Sequence, residues 1–224
     1  MNDFIIRIVY DNHCYKPGFL TGFGFSALIF NNIIKSYFLF DTGGNGDVLI
    51  HNIKKFGINI EEIKNVVISH NHHDHTGGLQ KIYELNPIIK IHVPKTYVKS
   101  FVNFFPKANI HGISEFTEIA KNMYSSGELG INFKEQCLYL QLNSGEIIIL
   151  VGCAHPGLER YIIKGREIGP IKAVIGGFHG FNKFSFLKGI DFIGACHCSA
   201  HVDTIAMNFP KQFKRICVGS VFSF

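Results

Sequence analysis

Between residues 69 and 78 the chain reads Ser-His-Asn-His-His-Asp-His-Thr-Gly-Gly, and few folds can accommodate such a run. Four side chains of metal-ligand type, His70, His72, Asp74 and His75, fall within six positions. The preceding Ile63 to Ser69 (Ile-Lys-Asn-Val-Val-Ile-Ser) is rich in β-branched residues and predicts a strand. Beyond the run, Gly77 and Gly78 open an amphipathic segment, Leu79 to Leu85, with helical spacing. The four side chains therefore belong on a loop at the C-terminal end of a strand, where α/β proteins tend to gather their chemistry. In extended backbone His70 and His72 point the same way, so both can grip one ion. Asp74 and His75, past the bend, can grip a second. Imidazoles with one carboxylate suit zinc, iron or manganese, and open coordination positions suit catalysis better than structure. A solvated polar loop is the plainer alternative in a chain with 12 histidines, but chance does not readily produce this order between a strand and a Gly-Gly pair.

The rest of the chain can be read around that loop. Three strands precede it, Phe4 to Tyr10, Phe23 to Phe30 and Tyr37 to Phe40, punctuated by Gly and Asn, and a helix over Val48 to Phe56. After it come a strand at Ile88 to Val93 and a helix at Lys95 to Phe105. The second half predicts a hairpin, Asn132 to Leu142 with Glu146 to Val151, turning at Asn143-Ser144-Gly145. A helix after Gly157, strands at Ile171 to Ile175 and Phe192 to Ala195, a helix from Ser199 to about Met207 and a last strand at Arg215 to Val221 complete the reading. Periodicity alone supports a mixed α and β chain. No repeat or linker interrupts it, so one domain over residues 1–224 is the simplest organisation.

Composition narrows the function classes. With 46% hydrophobic residues, including 22 Phe and no Trp, 224 residues can bury a substantial core. The net charge of +5 suits a small anionic substrate and is too weak to indicate nucleic acid. The opening Met1-Asn2-Asp3-Phe4-Ile5-Ile6-Arg7 lacks the pattern of a signal peptide, and no apolar run approaches the roughly 18 to 20 residues that span a bilayer. A cytoplasmic location is the expectation, with the six cysteines mostly reduced and no membrane partner; the oligomeric state stays open. Cys196 and Cys198 flank His197, and a soft metal site there is the weaker of two readings against ordinary thiols.

The order His70-x-His72-x-Asp74-His75 resembles the H-x-H-x-D-H signature of the metallo-β-lactamase superfamily. Phe40-Asp41-Thr42-Gly43 looks like that superfamily's strand-end Asp-Thr-Gly. Three later segments, Gly152-Cys153-Ala154-His155-Pro156-Gly157, Gly176-Gly177-Phe178-His179 and His197-Cys198-Ser199, resemble the branch that includes the ribofuranosylaminobenzene 5'-phosphate synthases and related (7,8-dihydropterin-6-yl-methyl) proteins. These landmarks run from about residue 38 to the C-terminus. The resemblance implies an α/β four-layer αββα sandwich and one or two divalent ions, zinc foremost, with iron or manganese as alternatives. By position and resemblance, His155 at a strand end completes a three-ligand set with His70 and His72. The resemblance also places His197 beside Asp74 and His75 on a second ion. His179, again after a strand, is either a ligand or a hydrogen-bond donor to substrate.

Other residues carry two readings each. Asp41 either caps the turn into the next helix or hydrogen-bonds the ligand loop and fixes a histidine; the roles are compatible. Ser199 is foremost an N-cap and secondarily an anion-binding group at a helix start. Phe178, Phe181, Phe184 and Phe186 are read as core before pocket wall. His73 points away from the ligands. In one respect the chain departs from the wider pattern: Gly152-Cys153-Ala154-His155 has no aspartate to bridge two ions, and Asp191 and Asp203, the only later aspartates, have no bridging context.

The leading expectation is a metal-dependent hydrolase, an activated water attacking an ester-like or phosphoester bond, with Asp74 orienting it and His179 stabilising negative charge. A transferase like the synthases, joining an aminobenzoate to a phosphoribosyl donor with loss of carbon dioxide and pyrophosphate, is the alternative that the resemblance brings. A non-catalytic metal or redox sensor using Cys153, Cys196 and Cys198 is a third.

Overall fold

The computed structural model describes residues 2–14 and 16–224. They divide into two compact units, one reaching from the N-terminal residues to Ser114 and taking in Cys217–Phe224, the other Glu115–Ile216. The first contains strands β1 (Phe4–Tyr10), β2 (Ser26–Asn31) and β3 (Ser36–Phe40), helix α1 (Gly46–Lys55) and strand β4 (Ile63–Val67). Helices α2 (His73–Thr76) and α3 (Leu79–Leu85), strand β5 (Lys90–Pro94), helix α4 (Val98–Phe104) and strand β6 (Asn109–Ile113) follow. The second unit holds β7 (Thr117–Ala120), β8 (Met123–Ser125), β9 (Leu138–Gln141), β10 (Ile147–Val151), α5 (Leu158–Ile168), β11 (Ile171–Gly177), β12 (Phe192–Cys196) and α6 (Val202–Asn208). The chain ends in β13 (Val221–Ser223), back in the first unit.

Each unit is built on one mixed sheet. In the first the order is β13-β1-β2-β3-β4-β5-β6, antiparallel as far as β3 and parallel from β3 to β6. In the second it is β12-β11-β10-β9-β8-β7, parallel from β10 to β12 and antiparallel beyond. Parallel neighbours deliver their C-terminal ends to one edge of a sheet, so the loops after β3 and β4 share an edge, as do those after β10, β11 and β12. The candidate residues lie on these loops.

Local chemistry explains the elements. Asn45 caps α1 by accepting the Asp47 and Val48 N–H groups, and Lys54 and Lys55 close its last turn against the helix dipole. Leu49, Ile50 and Ile53 on its inner face join Val66, Ile68, Leu79 and Ile91 in the first unit's core. In the second unit β10, Ile-Ile-Ile-Leu-Val, is buried at every position, as a strand in a covered sheet must be. Its Ile147, Ile149 and Val151 pack with Leu158, Tyr161 and Ile162 of α5. Phe178 and Phe181 are buried in that core and Phe184 and Phe186 pack against it, which agrees with reading them as core. Among the described residues no helix is long and apolar enough to cross a membrane.

The structure differs from the sequence reading at predictable places. β6, β7 and β8 are short and polar, with β6 exposed at three of its five residues, and had no strand signal. The hairpin's first arm contracts to Leu138–Gln141, because residues up to Gln136 serve a loop described below. The expected strand over Arg215 to Val221 is not one: Ile216, Cys217 and Val218 are buried by packing, Gly219 turns the chain at φ 88°, and the regular ladder with β1 covers only Val221–Ser223. The last helix starts at Val202, with His201 and not Ser199 at its N-cap.

One core polar contact has a measurable consequence. His92 on β5 is bonded to Asn65 Oδ1 at 2.9 Å and stacked on His111 of β6. Burial, then the neighbouring His111 and Lys90, push its pKa down to about 4. The folded pKa lies below the unfolded value near 6.5, so the unfolded chain protonates first as pH falls. The neutral ring's contribution is fully present above about pH 6.5 and should fade by about 2 kcal/mol between pH 7.5 and 5. Urea denaturation of His92→Gln, which retains a hydrogen-bonding amide, should show a shallower loss over that range. Equal slopes for the variant and the wild type would refute this assignment.

Candidate metal-ligand loops

In the first unit the chain leaves β4 at Val67, and Ser69 and His70 are wholly buried. Asp41, the residue after β3, reaches across to them. Its Oδ1 accepts the Ser69 N–H at 2.6 Å, and its Oδ2 accepts the Ser69 hydroxyl and the His75 Nδ1–H, each at 2.7 Å. The Ser69 hydroxyl also meets His70 Nδ1 at 2.8 Å. His72 then caps the single-turn helix α2, which carries Asp74 in its first turn. His70 Nε2 and His72 Nδ1 converge to 3.1 Å, and His75 Nε2 faces Asp74 Oδ2 at 3.5 Å. All four predicted residues of the run thus turn a ring nitrogen or carboxylate oxygen towards another of the set.

Glycines make that packing possible. A Cβ on Gly77 would stand 2.5 Å from Gly44 O, and one on Gly78 would stand 2.3 Å from Thr42 O. Thr42 donates both its N–H and its hydroxyl to His75 O. The Gly-Gly pair is therefore what lets the ligand loop lie against the Asp-Thr-Gly turn. His73 sits on an exposed groove with Phe101 and Phe104, away from the convergent atoms.

In the second unit the equivalent anchor is Glu135, which carried no sequence signal. It is fully buried. Its Oε1 accepts the N–H groups of Cys153 and Ala154, and its Oε2 accepts the N–H and the Nδ1–H of His155, all between 2.8 and 2.9 Å. The loop after β10 is held by one carboxylate at four points. His179 follows β11, and its ring lies 5.1 Å from that of His155. His197, largely buried, follows β12. Ser199 is not at a helix start; its hydroxyl accepts the Phe178 N–H and donates to Cys196 O, tying two loops together. Asp191 is exposed and paired with Lys172, and Asp203 is exposed on α6, so neither has a ligand's setting.

The electrostatics fit a cation site. Burial alone would push the His75 imidazole down, but Asp41 at 2.7 Å, aided by Asp74, lifts it to about 10. Burial raises the Asp41 carboxyl, and the charge and hydrogen bond of His75 partly offset this. Glu135 is held below the usual carboxylate range: burial raises it, and the bonds from the His155 ring and the loop N–H groups more than reverse that. In both units a buried carboxylate holds a histidine Nδ1, an arrangement that orients histidines where they bind metals. His, Asp and Cys are the donor types present, and they suit a first-row divalent ion.

Backbone strain collects on the same loops. Six described non-glycine residues have positive φ, and four of them, Asp41, Ala154, His179 and His197, follow β3, β10, β11 and β12.

Among known proteins, the sequence profile of the Metallo-beta-lactamase superfamily matches residues 21–136, just over half the chain. A 7,8-dihydropterin-6-methyl-4-(beta-D-ribofuranosyl)-aminobenzene-5'-phosphate synthase of Methanocaldococcus jannaschii is 28% identical over 283 aligned positions, covering 98% of this chain and 96% of its own. An uncharacterized protein of the same organism is 29% identical over 206 positions, covering 78% of this chain and 79% of its own. The metallo-beta-lactamase fold protein YhfI from Bacillus subtilis superposes with a TM-score of 0.70 at 13% identity, each chain covered completely, which shows a shared fold.

The two carboxylates yield a joint prediction. Asp41→Asn and Glu135→Gln each replace an accepting oxygen with an NH2 group facing N–H donors. Each should cost about 2 to 4 kcal/mol of stability and lower zinc affinity by roughly 10- to 100-fold. Chelator competition on folded variant protein measures the second effect. Wild-type affinity in both variants would show that these carboxylates do not prepare the histidines for a metal.

Proposed function

The chain belongs to the metallo-β-lactamase superfamily and has its fold of two mixed sheets with helices, and within that family we propose that it is a metal-dependent hydrolase acting on an ester-like or phosphoester bond in a small molecule. The observation that carries the reading is the fixed tautomer of His75 and His155, each with Nδ1 bound to a buried carboxylate and Nε2 left to act as ligand. Side chains held this way suit an open catalytic site. In this reading His70, His72 and His155 hold one divalent ion and Asp74, His75 and His197 a second. Zinc matches the imidazole-rich set best, with iron or manganese next.

Such an ion, when bound, supplies Lewis acidity and lowers the pKa of water. The chain's own groups do the remaining work. Asp74 is half-buried, and its carboxylate orients the attacking water. His179, exposed on its loop, donates a hydrogen bond to negative charge developing on the substrate. The net charge of +5 favours an anionic substrate.

A transferase reaction is the second reading, supported by the near-complete alignment with the Methanocaldococcus jannaschii synthase. Pyrophosphate release from an aminobenzoate and a phosphoribosyl donor tests it directly.

Elemental analysis tests the metal assignment. Wild type should carry about two ions per chain. His155→Ala and His197→Ala should each lose about one ion and at least 100-fold of hydrolytic rate, and His72→Ala should lose most of its metal. Full metal content in His72→Ala would contradict the ligand set. A zinc-, manganese- or iron-loaded protein inert towards esters, thioesters, lactones and phosphodiesters would remove the hydrolase reading.

A further inference from the structure

Two thiols on the second unit's loops meet, and neither belongs to the ligand set proposed above, although Cys153 is among the candidate metal donors. Cys153 follows β10 and Cys198 follows β12, 45 residues apart, and their Sγ atoms lie 3.2 Å from each other. The strand between them makes room. Gly177 ends β11, donates its N–H to Gly152 O, and has no side chain. A Cβ there would stand 2.7 Å from the Cys198 Sγ. Disulfide bonding requires a separation of about 2.05 Å, so the sulfurs need to close by only about 1.2 Å. The pair is also asymmetric in access: Cys198 is half-buried, whereas Cys153 is 3% exposed.

We propose that Cys153 and Cys198 form a redox pair that closes to a disulfide when a peroxide oxidises Cys198. The accessible Cys198 thiol attacks the peroxide, the O–O bond breaks, and Cys198 becomes a sulfenic acid with release of water or an alcohol. The Cys153 thiol then attacks that sulfur. The S–S bond forms, the S–O bond breaks, and the hydroxide leaves as water with the Cys153 proton. Two electrons pass from the two thiols to the peroxide, and a dithiol reverses the change. Transient, reversible bridges of this kind are those that persist in reducing compartments. The bridge would pull the loop that Glu135 anchors, bearing His155, towards the loop bearing His197. Its effect on metal binding rests on the ligand reading above; the bridge itself does not.

The test is peptide mapping of the full-length protein as purified, treated with hydrogen peroxide, quenched with N-ethylmaleimide and digested without reductant. A peptide linking Cys153 to Cys198 should appear and vanish with dithiothreitol. In Cys153→Ser, which keeps the accessible thiol but removes its partner, Cys198 should accumulate as sulfinic and sulfonic acids. A wild type in which Cys198 is over-oxidised without linkage, in which both thiols remain alkylated by the quench, or in which the bridge uses other cysteines, overturns the proposal. Loss of bound metal on bridging, restored by dithiothreitol, is the expected second readout. Bridging with metal content unchanged would refute the regulatory consequence and leave the hydrolase reading standing.

Discussion

A buried carboxylate that holds a loop by its backbone is the constraint on which both halves of this chain depend. Asp41 and Glu135 are each fully buried, and each is surrounded by N–H and O–H donors from one short segment. A buried charge is costly unless it is fully hydrogen-bonded, so each carboxylate specifies its loop conformation closely: any other arrangement leaves the charge unsolvated. The last acceptor site on each goes to a histidine Nδ1. Loop geometry and ring orientation thus depend on a single group in each unit.

That device also explains what the sequence could and could not convey. The run from His70 to His75 was readable because its ligand-type residues are adjacent in the chain and lie between a strand and two glycines. Asp41 was readable because it ends a strand beside a recognisable Thr-Gly. Glu135 had neither advantage. It stands in Lys134-Glu135-Gln136, between polar neighbours that look like a solvated loop, and its partners lie 18 to 20 residues away. Only folding makes it the counterpart of Asp41. The same limit applied to the fold. Strands with apolar alternation or β-branched runs, such as β1, β4 and β10, were visible, while β6 to β8 are made by pairing partners and not by their own composition. Arg215 to Val218 failed in the opposite sense: apolar residues buried by packing mimic a strand that the turn at Gly219 prevents.

Cys153 lies in Gly152-Cys153-Ala154-His155, the strand end that has no aspartate to bridge two ions. Its N–H is bound to Glu135 and its sulfur contacts Cys198. A thiol there differs from a carboxylate in two ways: it is soft, and it can be oxidised reversibly. The redox reading uses the sulfur itself.

The left-handed residues strengthen the case that these loops are positioned for chemistry. An L-residue in that conformation costs roughly 1 to 2 kcal/mol, and glycine would avoid the cost. The chain does place glycine at other tight points, including Gly43, Gly157 and Gly176. It does not do so at Asp41, His179 and His197, where removing the side chain would remove a carboxylate or an imidazole. Ala154 is the exception that fits: it carries the smallest side chain with a Cβ, and its N–H is one of those that Glu135 binds. Stability alone would favour glycine at all four positions. The strain is retained where a side chain of defined chemistry must leave a strand end in one fixed direction, which is what a ligand loop requires.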